Sequence, residues 1–197
     1  MIRVVINGEE QEFEDGQFKN FKELYDHVKP PGRVLARLVV NGSEIPIARV
    51  SELFNSYFEG GETVEMEFVS VKDAAKNLIE SGREYIQRAK SIITKIPQQL
   101  LVDEKAGFEA VAMMAEGLGL LEEMRDGLSR ALGLTLEELG LSVDFSKSVN
   151  ILKALSEALK ARDVVAISDI IDEELVNVYD SYLRFFEKVE DFLTGVS

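Results

Sequence analysis

From Val71 to Ile96 the apolar residues fall in three columns at seven-residue spacing, a period that a helix satisfies and a strand does not. The first column holds Val71, Leu78, Tyr85 and Ile92; the second Ala75, Gly82, Ala89 and Ile96; the third Ile79, Ile86 and Ile93. Columns three and four residues apart merge into one broad helical face. Such a face is wider than a two-stranded coiled-coil seam and suits a helix that touches two or three neighbours. The small column (Ala75, Gly82, Ala89) predicts that one neighbour approaches closely. The last helix repeats the layout, with Leu175, Tyr182 and Val189, then Val178, Phe185 and Phe192, then Tyr179, Phe186 and Leu193.

Between these two helices the punctuation is local. Pro97 cannot sit inside a continuing helix without cost, so the first helix is expected to end near Ile96. Asp103 is the expected N-cap of a second helix running to about Leu132, with Phe108, Val111, Ala115, Leu118, Leu121 and Leu128 as its buried stripe. Gly107, Gly117, Gly119 and Gly127 lie inside it, and each costs about 1 kcal/mol relative to alanine. Close packing is expected to offset that cost; the alternative is a break near Gly117-Leu118-Gly119. Gly133 closes this helix, and Thr135 with Glu138 forms a capping box for a short helix ending at Gly140. Ser146 is the expected cap of a third main helix, and Arg162-Asp163 marks the change to the last. Residues 71–99 and 146–162 are net basic, whereas 100–145 and 163–197 are net acidic. In an antiparallel bundle that alternation brings sequence neighbours together with opposite charge.

Residues 1–70 read differently. Ile2, Val4 and Ile6 alternate, Asn7-Gly8 offers the positive φ angles of a tight hairpin, and a strand around Phe13 returns. Asn20 with Glu23 starts a helix that stops at Pro30-Pro31-Gly32. Val34–Val40 is a strand, Asn41-Gly42 a second hairpin turn and Ser43–Ile47 the return. One or two helical turns over Val50–Phe58 precede Gly60-Gly61, and Thr63–Val69 alternates again. This order resembles a β-grasp (ubiquitin-like) domain. The stretch Leu38-Val39-Val40-Asn41-Gly42-Ser43-Glu44-Ile45-Pro46, with Gly60-Gly61-Glu62-Thr63-Val64-Glu65-Met66, is similar to the same region in the small sulfur-carrier proteins of that superfamily. Those carriers use a free C-terminal Gly-Gly tail; here Gly60-Gly61 precedes the last strand and the chain runs on into a helix. The resemblance therefore implies the scaffold without conjugation or sulfur carriage. The expected fold class is α+β, with a β-grasp domain over 1–70 followed by an antiparallel helical bundle of four main helices over 71–197.

Chemistry is harder to find. There are no cysteines, and His27 is the single histidine, so neither the usual zinc sites nor Cys-His mechanisms can be assembled, and His27 reads as a surface residue. Di-iron and di-manganese bundles need Glu-x-x-His, and the helical half has no histidine, so no metal or cofactor is expected. Gly-x-x-x-x-Gly-Lys is missing too. Arg125, on the edge of an apolar stripe, is either an ion-pair member or an anion ligand. A net charge of −14 argues against nucleic acid and against anionic membrane surfaces as partners. No run reaches the length of a membrane span, the N-terminus reads as a strand rather than a signal peptide, and a cytoplasmic address is the default.

What remains is surplus aromatic surface. If packing leaves Tyr179, Phe186 and Leu193 outside, they form an apolar patch for a partner or a second copy of the chain. Phe54 is expected to plug the small N-terminal core, whereas Tyr57 and Phe58 are expected at the junction with Val71 and the first helix, as further partner-binding candidates. The leading functional expectation is a non-enzymatic protein-protein interaction module, an adaptor or scaffold, with a homodimer as its expected assembly. The runner-up is a chaperone for exported proteins such as flagellar subunits, and the third reading is a carboxylate-dependent metal or nucleotide enzyme.

Overall fold

The computed structural model describes residues 1–195. It is mixed α and β, a five-stranded sheet followed by helices, in two compact units that divide between Ala74 and Ala75.

In the first unit β1 (Ile2–Ile6), β2 (Glu9–Phe13), β3 (Arg33–Val40), β4 (Ser43–Glu44) and β5 (Thr63–Ser70) are ordered β2-β1-β5-β3-β4. β1 runs parallel to β5, and the remaining pairs are antiparallel. Both Asn-Gly pairs adopt the left-handed angles their turns demand, with φ of 50° at Asn7 and at Asn41. Each asparagine also ties its turn to β5: Asn7 exchanges two hydrogen bonds with the main chain of Phe68, and Asn41 Oδ1 accepts from the Thr63 amide at 2.9 Å. The inward residues Ile2, Val4, Leu38, Val64, Met66 and Phe68 form one core with Phe21 and Leu24 of α1 (Phe21–Val28). Asn20 caps α1 by accepting from the Glu23 amide at 3.0 Å. Phe54 packs at that core, stacked on Phe21.

The second unit is helical: α2 (Val71–Ile93), α3 (Ile96–Val102), α4 (Glu104–Leu132), α5 (Ser142–Ala161), α6 (Val164–Asp169) and α7 (Leu175–Thr194). Ser70, the last residue of β5, caps α2 by accepting from the Asp73 amide at 3.0 Å. The small and isoleucine columns of α2 are buried, while its first column lies half-exposed and Ile92 points outward. The buried face is thus narrower than the sequence pattern. All three α7 columns turn inward, apart from Phe192 and Leu193 at the C-terminal end.

Four expectations about element boundaries are corrected. α2 stops at Ile93, and Pro97 opens α3 instead of merely ending its predecessor, because a first turn has no use for the missing N–H. The Thr135–Glu138 box forms both of its hydrogen bonds, yet the segment remains a turn, since Gly140 at φ 70° reverses the chain first. α5 starts at Ser142, so Ser146 lies inside it. The final run is broken by a π-helical turn over Ile170–Glu174 between α6, which Asp163 caps, and α7. α4 runs unbroken through all four of its glycines.

Interhelical ion pairs refine the reading of charge. Basic α2 meets acidic α7 through Arg83–Glu190 and Lys90–Asp180, and Arg162 reaches Glu104. The sign alternation therefore links the first and last helices as much as sequence neighbours.

Candidate functional site

Local rules set up the cleft that dominates the helical unit. Asp103 caps α4, accepting from the Ala106 amide at 3.1 Å, and Gly133 ends it at φ 67°. Between these limits Val111, Met114, Ala115, Leu118, Gly119, Glu122 and Arg125 recur at three- and four-residue spacing and share one side of the helix. On α5, Phe145, Val149, Leu152, Ser156 and Leu159 do the same. The two helices run in opposite directions. Arg125 near the end of α4 lies over the Phe145 ring at the start of α5, while Arg162 just after α5 lies over the Phe108 ring near the start of α4.

Between them is an elongated cleft of ≈ 950 Å³. Its α4 wall spans about 21 Å from Val111 to Arg125 at 1.5 Å per residue. The floor is formed by the buried Val111, Met114, Leu118, Phe145 and Leu155, and the banks by Ala115, Gly119, Val149 and Ser156, which are exposed. At Gly119 a Cβ would meet nothing within 4 Å. The helix-propensity cost at this position is therefore not offset by packing; the absent side chain leaves the cleft open.

One end of the cleft is polar. Arg125 donates to both carboxylate oxygens of Glu122, through Nε at 2.8 Å, and the Tyr182 hydroxyl donates to Glu122 Oε2 at 3.0 Å. The Arg125 bond, followed by the Tyr182 bond, holds the Glu122 carboxyl below its ordinary range against the opposing effect of burial. Burial and the Glu122 charge raise Tyr182 well above the usual phenol range. The Arg125 guanidinium is thus an ion-pair member whose charge is already partnered, not a free anion ligand.

These shifts have a direction in pH. A carboxyl whose folded pKa is lowered contributes stability above its unfolded pKa and loses it as pH falls through the folded one. Unfolding temperature followed against pH should show Glu122→Gln less stable than the parent at neutral pH, with the gap closing below about pH 4.5, the ordinary glutamate value. A gap that persists undiminished at pH 3 contradicts this account of the cluster.

The partner-binding candidates read from the sequence differ in exposure. Tyr179 and Phe186 are fully buried in the helical core, and Leu193 is half-buried against it, so the proposed Tyr179–Phe186–Leu193 docking patch is withdrawn. The physical reason is the small column of α2: Gly82 leaves the space that the Phe186 ring occupies. Tyr57 is 80% exposed on its loop, whereas Phe58 packs against the core of the first unit. His27 is exposed on α1, beside the rings of Phe13 and Phe18. Among the described residues no three His, Cys, Asp or Glu side chains gather as a metal site would require. Among the described residues no helix is long and apolar enough to cross a membrane.

The cleft escaped the sequence reading, although a signal for it was present. Ala115 and Leu118 belong to the stripe expected to be buried, but Ala115 and Gly119 on α4 and Ser156 on α5 are small residues lining the cleft, and Ala115 is exposed. No protein-family model, curated protein or solved structure matches this chain.

Proposed function

We propose that this chain is a non-enzymatic protein-interaction module whose α4–α5 cleft receives the apolar face of an amphipathic helix from a partner protein. The observation that carries this reading is the shape of the cleft, about four helical turns long with a mainly apolar floor and its charged groups gathered at one end. Recognition of a helix in a groove uses such a surface, with anchors at i, i+3, i+4 and i+7. A compact ligand has no need of that length, and the polar atoms at one end already bond one another.

The rest of the molecule fits a binding role. We read the first unit as β-grasp-like, since β1 and β5 pair in parallel at the sheet centre with a hairpin on either side and α1 on one face. The helical unit we read as an antiparallel bundle with one helix position unfilled between α4 and α5. The net charge of −14 disfavours nucleic acid, and we place the module in the cytoplasm. A homodimer is the form of this reading in which each copy supplies the other's helix. An export chaperone is the form in which the helix belongs to a client that is unfolded when alone.

Gly119→Trp tests the reading, because position 119 lines the cleft and an added Cβ there meets nothing within 4 Å, so a bulky side chain can obstruct the cleft without displacing the core. The full chain and this variant are immobilised side by side and exposed to host lysate. The expected result is a protein retained by the parent and reduced about tenfold or more by the variant, which itself melts at or near the parental temperature. Identical retention by both contradicts the proposal.

A further inference from the structure

The charges bordering the cleft have opposite signs on its two banks. At 100° per residue, Glu116 and Glu123 lie on the solvent side of the α4 lining residues, and Lys153 and Lys160 on the solvent side of those of α5. All four are exposed. Among the described residues none of the four enters an ion pair, although other helix-to-helix pairs such as Arg83–Glu190 and Arg184–Asp144 do form. Asp126, farther along the α4 bank, is already partnered by Arg130, and Glu157 lies farther round α5 toward solvent. An acidic bank and a basic bank thus border the cleft without pairing across it.

A helix seated between them meets both. Resting on the proposed groove, we infer that the partner helix carries cations along the flank that faces α4 and carboxylates along the flank that faces α5. The arrangement is that of the positions bordering a coiled-coil seam, where charges on the two flanks of an apolar stripe set partner choice and orientation. It also discriminates. A uniformly basic helix is drawn to the acidic chain at long range but places like charges against Lys153 and Lys160. A uniformly acidic helix meets Glu116 and Glu123 in the same way.

Three fluorescent synthetic peptides of about 18 residues, longer than the groove, test this against the full chain. They share one apolar face and differ in their flanks: one cationic and one anionic, both cationic, or both anionic. Fluorescence anisotropy at physiological salt gives the affinities. The mixed-flank peptide is expected to bind about tenfold more tightly than either uniform one. In Glu116→Lys/Glu123→Lys, where both banks are basic, the doubly anionic peptide is expected to become the tightest. Three affinities within about twofold of one another overturn the flank assignment and leave the groove standing. A doubly cationic peptide that binds tightest also overturns it, because net charge alone then governs. Failure of all three to bind removes the groove reading as well, which separates the two failures.

Discussion

Gly107→Ala is expected to destabilise the helical unit by about 2–3 kcal/mol, although alanine is the better helix former by about 1 kcal/mol. A Cβ at Gly107 would lie 2.6 Å from Leu100 Cα and 2.7 Å from the Leu100 amide nitrogen. Those are backbone atoms of α3, which turns back on α4 through the shared cap at Asp103 and has no side-chain rotation with which to yield. Gly119→Ala and Gly127→Ala are the controls. Neither Cβ would meet anything within 4 Å, so both are expected to stabilise the chain by about 1 kcal/mol. Urea unfolding of the three variants provides the comparison. Equal effects at all three positions contradict the view that Gly107 is needed for packing while Gly119 and Gly127 are not.

Phe186→Ala is expected to cost about 3–5 kcal/mol, the usual loss for an aromatic ring removed from a core. The ring is fully buried and fills the notch at Gly82, where an added Cβ would lie 2.5 Å from its Cε2. Tyr179→Ala belongs to the same class, but Tyr179→Phe does not. The Tyr179 hydroxyl is buried without a hydrogen-bond partner, and burial, with a contribution from Tyr85, raises it above the usual phenol range. Removing it gives up only the contact with Tyr85 and relieves a desolvated oxygen, so the phenylalanine variant is expected to stay within about 1 kcal/mol of the parent. Chemical denaturation distinguishes a core role from a surface one. A Phe186→Ala variant that kept parental stability while losing a partner would return this helix face to the surface and falsify the packing described here.

Much of the chain was legible because its signals are local. Asn7-Gly8 and Asn41-Gly42 dictate tight turns by the angles they tolerate, Asp103 and Gly133 delimit α4, and Asp163 starts α6, each through atoms a few residues apart. Seven-residue spacing along α2 and α7 showed which residues share a face. Spacing alone did not show how much of that face is covered, which is why the first column of α2 proved half-exposed, while Tyr179, Phe185 and Phe186 of α7 are fully buried and Phe192 is not.

By itself, then, the sequence determined the division into a strand-rich and a helical part, the hairpin turns, most helix caps, and a composition with no cysteine and one histidine. Only the tertiary structure decided which glycines are packed and which stand open, where the aromatics point, and that α4 and α5 leave a cleft between them. The reason is one of range. Caps and turns depend on backbone angles and hydrogen bonds within a few residues, whereas Gly82 under Phe186 and the lining of the α4–α5 cleft depend on side-chain shapes brought together from distant parts of the chain.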